Sequence, residues 1–286
     1  MNYLDAPESE SEPFSLRVSN DNMKNEKERD QFNLYAISVY ENKNGKYRIL
    51  AANYQNEKDA FSIEKFRYDE KNNKLVHMER FTKGLKYGQL CDLVAINDEL
   101  FYFTKCFAHT FFKKFKLNLE MKNGEIWVYN LKQNTVYLVV KNIFMPKSIA
   151  YIKSNDLIVV SNFEEQGLSI YKKEYDNGLT KLQDIQLNTF VFNIFVDAAT
   201  HLWVVSHPIP HQTFNLNNSI DSFTTSELIS LEFDFRNLRI KNFKRKLYFS
   251  TNGTNYGMNA LSGAFFYKKN YILFSLMNDP LVCNIA

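Results

Sequence analysis

Short apolar runs alternate with polar turns along most of the chain. Each run has the length of a strand, is rich in Val, Ile, Phe and Tyr, and is bounded by Asn, Asp, Lys or Gly. No window of helical length keeps apolar residues at helical spacing, so the pattern predicts an all-β fold. The predicted strands of the first half are Leu34 to Tyr40, Tyr47 to Tyr54, Phe61 to Tyr68, Leu100 to Cys106, Glu125 to Tyr129 and Thr135 to Val140.

One hairpin pattern occurs four times. It consists of an apolar run, a short polar turn and a second, very apolar run. The copies are Leu93 to Phe103, Ser148 to Val160, Asn193 to Val205 and Ala264 to Phe274. Their turns lie roughly 45 to 70 residues apart, which is typical of four-stranded propeller blades with insertions of different length. We therefore predict a β-propeller; the alternative, a two-sheet sandwich, predicts no recurrence at long period.

The composition supports one packed domain preceded by a polar segment. Of the 286 residues 45% are hydrophobic, which is enough to bury a core. Residues 1 to about 31 are acidic, polar and without periodicity, so we predict a weakly ordered segment there and a single propeller domain over 32–286. The first ten residues carry acid where a signal peptide would be basic and apolar, so no signal peptide is predicted.

Charge and motifs argue against several functions. The net charge is only +3 and the basic residues are spread out, so nucleic-acid binding is not predicted. The apolar runs are far shorter than the roughly 20 residues that cross a bilayer, so no transmembrane segment is predicted. No P-loop, G-x-S-x-G or G-x-G-x-x-G motif is present. Cys91, Cys106 and Cys283 form no C-x-x-C pair, and we interpret the first two as small buried hydrophobes.

Several segments, in order, resemble the paraoxonase/arylesterase family. They are clearest over residues 144–286: Phe144-Met-Pro-Lys-Ser-Ile-Ala, Asp156-Leu-Ile-Val-Val-Ser-Asn, Asn188-Thr-Phe-Val-Phe-Asn-Ile-Phe-Val-Asp, Leu202-Trp-Val-Val-Ser-His-Pro, Ser226-Glu-Leu-Ile, Asn252-Gly-Thr and Leu281-Val-Cys-Asn. The likeness is thinner over 32–106, with Tyr35-Ala-Ile-Ser-Val-Tyr, Ala52-Asn-Tyr, Asp92-Leu-Val-Ala and Phe101-Tyr-Phe-Thr. The resemblance implies a six-bladed propeller, with the first blade incomplete, that hydrolyses aryl esters or lactones with calcium.

The calcium ligands implied by the resemblance are largely altered. The family holds its catalytic calcium with a Glu, an Asp and three Asn, which are hard oxygen ligands. At the matching positions this chain has Cys91, Lys147 and Phe192, and only Asn193 is retained. No segment matches the one that carries the Glu. We therefore expect weak calcium binding or none. Lys147 has two interpretations, an ammonium in place of the metal charge or a surface residue in a turn.

Only part of the ligand set of the family's second, structural calcium has a match in this chain. Asp92 stands where the family has one Asp ligand and Ile37 where a backbone carbonyl coordinates, while the other Asp has no counterpart. An alternative for Asp92 is a structural role, in which it caps a turn or accepts a backbone N–H.

The family's proposed histidine pair corresponds to Tyr35 and Tyr54. A phenol titrates near pH 10, so either tyrosine would be a poor base, and both also fit as ordinary aromatic strand residues. His207-Pro208 matches a His-Pro of the family.

The remaining correspondences concern the secretory pathway. Cys283 stands at the family's C-terminal cysteine, whose partner near the N-terminus has no match here. Asn217 and Asn252 begin glycosylation sequons, and the second coincides with one in the family. The resemblance thus suggests a secreted or membrane-associated glycoprotein.

Two functions follow from these observations. The first is an arylesterase or lactonase with an altered site, acting on a small ester or lactone. The second is a non-catalytic propeller, a pseudoenzyme that serves as a binding or chaperone-like scaffold. No feature of the sequence predicts an oligomeric state.

Overall fold

The fold was analysed in a computed structural model. The structure describes residues 18–19, 32–55, 60–85, 90–106, 124–197, 201–209, 212, 224–236, 239–252, 261–267, 270–275 and 281–284. Within these residues the secondary structure consists of strands, and no helix is long and apolar enough to cross a membrane. The predicted all-β class and propeller arrangement are confirmed.

The described strands form five sheets. The first contains β1 (Val18–Ser19), β2 (Leu34–Glu41), β3 (Tyr47–Gln55), β4 (Ala60–Asp69) and β5 (Lys74–Phe81) in the order β1-β5-β4-β3-β2. The second is β6 (Leu90–Asn97), β7 (Leu100–Lys105), β8 (Gly124–Asn130) and β9 (Thr135–Ile143). The third is β10 (Pro146–Ile152), β11 (Leu157–Asn162), β12 (Gly167–Lys173) and β13 (Leu179–Gln186).

The last two sheets follow the same plan. The fourth is β14 (Phe190–Val196), β15 (Leu202–His207), β16 (Ser226–Arg236) and β17 (Arg239–Thr251). The fifth is β18 (Leu261–Tyr267), β19 (Asn270–Ser275) and β20 (Leu281–Asn284). The six blades expected from the resemblance are therefore not seen among the described residues, where four sheets have four or more strands and one has three. The first sheet, expected to be incomplete, is the largest because β1 adds to β5 in parallel.

The four predicted hairpins are the first two strands of the second, third, fourth and fifth sheets. In β7, β11 and β15 every residue is buried, which explains why the second runs of the first three hairpins are so apolar. A strand covered on both faces has no solvent side, so it does not alternate with polar residues.

The chain divides into two compact units. Unit 1 contains Met1–Phe103 and Trp127–Leu138, and unit 2 contains Thr104–Ile126 and Val139–Ala286. The core of unit 1 is aromatic: the Tyr129 ring stacks on Phe101 at 5.1 Å and meets Phe81 edge-on at 5.7 Å. The main core of unit 2 is aliphatic and joins residues of the third and fourth sheets, including Val159, Ile170, Val191, Val204 and Ile229.

Asparagine replaces glycine in many turns. The chain has only nine Gly. Positive φ angles, between 45° and 64°, are adopted by Asn73, Asn134, Asn177 and Asn188. Asn tolerates this left-handed conformation better than other non-glycine residues. The asparagine-rich polar segments between the apolar runs therefore supply the turns that a glycine-poor chain needs.

At Gly167 the backbones of β12 and β13 approach too closely for a side chain. A Cβ at this position would clash with the carbonyl oxygen of Ile185, and a backbone atom cannot rotate away. We predict that Gly167→Ala lowers the free energy of unfolding by about 1–3 kcal/mol, measured by chemical denaturation. Gly178→Ala is the control, since its Cβ would meet only a side-chain atom of Asp176, at 3.0 Å. Equal stability of the two variants would contradict the prediction.

Candidate functional site

Bulges near the beginning of the first strands carry the candidate site. In the third sheet the pairing moves from Pro146–Asn162 to Ile149–Val160, so one extra residue lies at Lys147 and Ser148. In the fourth sheet the same irregularity makes Phe192 the extra residue of its strand, and in the fifth sheet the extra residue is Ser262. Bulges redirect side chains and are frequent beside active sites. Three equivalent positions of unit 2 are therefore set apart from the regular ladders.

A hydrogen-bond network joins these bulges, because β10, β14 and β18 pack beside one another. The Ser148 hydroxyl donates to Oδ1 of Asn193 at 3.0 Å, and Nδ2 of Asn193 donates to the Ser262 carbonyl at 3.0 Å. The backbone N–H of Ile194 donates to the same Ser148 hydroxyl at 3.2 Å. Asn193, the one retained calcium-ligand position, thus ties three strands of unit 2 together.

Lys147 and Phe192, two of the altered ligand positions, contact each other beside this network. The ammonium of Lys147 lies 5.1 Å from the centre of the Phe192 ring, within the range of a cation–π interaction. Both side chains are partly buried. Lys147 belongs to a strand, and its head group is held against an aromatic face. Lys147 is therefore a partly buried strand residue and not an exposed lysine of a surface turn.

His207 is the buried imidazole of the site. It ends β15, is fully buried, and meets the Phe192 ring edge-on at 5.3 Å. Its Nδ1 lies 3.3 Å from the Thr225 carbonyl and 3.1 Å from the Ser226 hydroxyl. A carbonyl can only accept, so Nδ1 carries the hydrogen and Nε2 has the lone pair. Within the described part of the chain, Nε2 is buried without a hydrogen-bond partner.

Burial decides the charge state of His207. Removal from water disfavours the imidazolium and lowers the pKa to about 4, while the hydrogen bond to Thr225 opposes this in part. His207 is therefore neutral at pH 7. Sequence analysis identified His207 only as part of a His-Pro match, because neither the unpaired nitrogen nor the contact with Phe192 can be read from the order of residues.

The two tyrosines at the histidine positions lie together in unit 1. The Phe61 ring meets Tyr35 edge-on at 5.3 Å and Tyr54 at 5.0 Å. Tyr35 is the extra residue of a bulge in β2, between the pairs Leu34–Asn53 and Ala36–Ala52. Burial raises the pKa of the Tyr35 phenol, although the residue is 46% exposed, so the phenol stays protonated at neutral pH. Neither Tyr35 nor Tyr54 therefore provides a base.

The cysteines differ from the prediction in one respect. Cys91 and Cys106 are buried as expected, but both are disulfide-bonded. Cys91 is near the start of β6, and Cys106 directly follows β7. The interpretation as small buried hydrophobes is thus right about burial and misses the disulfide bonding. The side chain of Cys283 lies outside what the structure describes.

The remaining predicted positions are dispersed. Oδ1 of Asp92 accepts the N–H of Leu93 at 2.8 Å, as the structural alternative expects. Ile37 is 52% exposed in β2. Asn252 is exposed just after β17, whereas the rest of its sequon and Asn217 lie outside the described residues.

The donor set does not fit the calcium that the resemblance implies. Cys91 is oxidised, Phe192 has no donor atom, and Lys147 brings a positive charge that repels a divalent cation. Oδ1 of Asn193 already accepts the Ser148 hydroxyl. Across the described residues no three His, Cys, Asp or Glu side chains form a group that could hold a metal ion.

We predict that His207 makes stability depend on pH. Its pKa is about 4 when folded and about 6.5 when unfolded, so the unfolded state binds more protons between these values. The free energy of unfolding should fall by up to about 3 kcal/mol as the pH drops from 6.5 to 4. Denaturation of the parent and of His207→Asn at several pH values measures this. His201→Asn, at a half-exposed histidine, is the control; a parent slope equal to that of His207→Asn would contradict the prediction.

Known proteins that are similar in sequence include two paraoxonases. Serum paraoxonase/arylesterase 1 of Homo sapiens is 24% identical over 257 residues, which are 89% of this chain and 69% of that protein. Serum paraoxonase/arylesterase 2 of Gallus gallus is 27% identical over 180 residues, 62% of this chain and 49% of that protein. The match thus spans about two thirds of the first relative and about half of the second.

Structure and family comparisons extend over most of the chain. A solved chain of a nidogen/laminin complex has a TM-score of 0.51 at 10% identity, covering 89% of this chain and 76% of that one, a likeness in fold alone. The sequence model described as Arylesterase matches residues 5–279. This match includes most of both compact units. The chain therefore belongs to the arylesterase family.

Proposed function

We propose that the chain hydrolyses small carboxylic esters or lactones at the Lys147–Phe192 contact of unit 2, without calcium at that place. Family membership supports the ester or lactone class. The observation that carries the proposal is the ammonium of Lys147 over the Phe192 ring, at positions that match two of the family's calcium ligands. The location of the positive charge is thereby kept while its chemical nature changes.

An ammonium can serve the chemistry of ester cleavage. Attack on an ester carbonyl turns the carbonyl oxygen into an oxyanion, and a fixed positive charge or hydrogen-bond donor stabilises it. Lys147 has three N–H donors and lies in a partly buried place, where charges interact more strongly than in water. The hydrogen bonds that join Ser148, Asn193 and Ser262 hold the strands around Lys147 in place.

A non-catalytic scaffold is the second candidate. It is favoured by the packing of Tyr35 and Tyr54 on Phe61, where the family's proposed base would stand. It is also favoured by the oxidised state of Cys91, which stands at another ligand position. Under this alternative the propeller would bind a partner and show no turnover.

Hydrolysis of phenyl acetate and of δ-valerolactone separates the two candidates. We predict turnover that survives excess EDTA and falls about 100-fold or more in kcat/KM with Lys147→Met, which keeps the length of the side chain and removes its charge. Lys153→Met, at an exposed lysine of the turn after β10, is the matched control and should keep the parent activity. Turnover abolished by EDTA or retained by Lys147→Met would contradict the ammonium role. A parent without turnover would favour the scaffold.

We further predict how the site responds to restored ligands. The parent should show no saturable calcium binding by titration calorimetry, because Lys147 repels the ion and Phe192 offers no oxygen. Changing Lys147→Asn together with Phe192→Asp removes the ammonium and adds two oxygen donors, so it should raise calcium affinity. Phe192→Leu is the control for loss of the ring alone. Micromolar binding by the parent that Asn193→Ala abolishes would overturn this prediction.

A further inference from the structure

The Nε2 atom of His207 is a buried acceptor that the fold leaves unused. Within the described residues it has no hydrogen-bond partner, whereas Nδ1 of the same ring faces the Thr225 carbonyl and the Ser226 hydroxyl. Buried polar atoms are nearly always paired, so an unpaired one calls for an explanation, such as a ligand or water. The orphan nitrogen is in the same residue that touches Phe192, the aromatic ring of the Lys147 site.

We propose that Nε2 of His207 is the hydrogen-bond acceptor of this site and takes the proton of the water that attacks the ester or lactone carbonyl. This assignment of a catalytic residue rests on the hydrolysis proposed above. It replaces the tyrosine pair, which offers no base, by a single imidazole of unit 2.

The geometry places a cation and an acceptor around one ring. The Lys147 ammonium lies 5.1 Å and the His207 ring 5.3 Å from the centre of Phe192. Ester hydrolysis needs both elements, one to stabilise the oxyanion and one to accept the proton of water. Phe192 is partly exposed, so the ring that contacts both groups also borders solvent.

The other side of the imidazole is held as a catalytic base requires. A base is commonly oriented by a third group that fixes the tautomer, as in nucleophile–base–orienter arrangements. Here the orienting groups are Thr225 and Ser226, and the Ser226 hydroxyl is itself fixed by the Leu261 N–H at 3.0 Å and the Thr224 carbonyl at 3.1 Å. The lone pair of Nε2 is consequently presented in one direction.

The proposed step is balanced in atoms and charge. A water O–H bond breaks, its proton joins Nε2, and the water oxygen bonds to the carbonyl carbon. The carbonyl π electrons move to the oxygen, which becomes an oxyanion beside Lys147. The oxyanion then collapses, the bond to the leaving oxygen breaks, and the imidazolium returns the proton to that oxygen. Burial lowers the pKa of His207, so the imidazolium is a strong enough acid to return the proton to the leaving oxygen.

His207→Asn is the sharpest substitution. The Asn amide keeps a donor near the position of Nδ1 but removes the acceptor at Nε2. With phenyl acetate we expect kcat/KM to fall at least 100-fold, the usual range for a lost general base. His201→Asn, a half-exposed histidine bonded to Asp197, should stay within twofold of the parent. A His207→Asn variant that keeps its melting temperature and its activity would overturn the inference and leave the hydrolysis proposal standing.

A second measurement uses only the parent and needs no turnover. Phenol, the alcohol released from phenyl acetate, carries an O–H that an acceptor in the site would bind. With nitrogen-15 in the five histidines, the Nε2 resonance of His207 should shift saturably on phenol addition, while that of His201 should not. No shift up to the solubility limit of phenol would overturn the acceptor role, whether or not the protein hydrolyses esters. A shift in a parent without turnover would retain the acceptor and reject the hydrolysis.

Discussion

The extra residue near the beginning of the first strand is the constraint on which the candidate site depends. In a regular ladder the side chains of these strands would point alternately toward the neighbouring sheets. The bulges interrupt this alternation at Tyr35, at Lys147 and Ser148, at Phe192 and at Ser262. Four of the five sheets share the device, and all positions matched to family site residues in β2, β10 and β14 lie in a bulge or within two residues of one.

A second constraint decides where polar chemistry can be placed. β11 and β15, the second strands of the third and fourth sheets, are buried over their whole length. Each ends on two polar residues, Ser161 and Asn162 in β11 and Ser206 and His207 in β15. Asn162 donates to Ser169 at 2.7 Å and so is partly satisfied, whereas Nε2 of His207 is not. Because a buried unpaired nitrogen costs free energy, its retention is easier to understand at a place where a ligand completes it. The last residue of the second strand thus has a structural role in the third sheet, as Asn162, and a proposed chemical role in the fourth, as His207.

Periodicity predicted the strands because it reflects burial directly. The runs Leu34 to Tyr40 and Tyr47 to Tyr54 differ from β2 and β3 by one residue at one end, and the four hairpins match pairs of strands. What the sequence could not supply is register. The bulge at Phe192, the disulfide state of Cys91 and Cys106, and the contact of Lys147 with Phe192 all depend on which residues stand opposite each other. Register follows from pairing across the sheet, which no single run of residues encodes.

Asn193 shows why a retained residue does not by itself indicate a retained metal. Its amide oxygen accepts from Ser148 and its amide nitrogen donates to the carbonyl of Ser262, so both ends of the side chain bridge strands. Both hydrogen bonds stabilise the packing of these strands, and neither needs calcium, so an asparagine at this position has a structural role of its own. Lys147 and Phe192 are more informative, because their contact turns two ligand positions into a cation and its aromatic support. Since the two side chains touch, the effects of changing them should not be additive, and reversing the site requires both changes together.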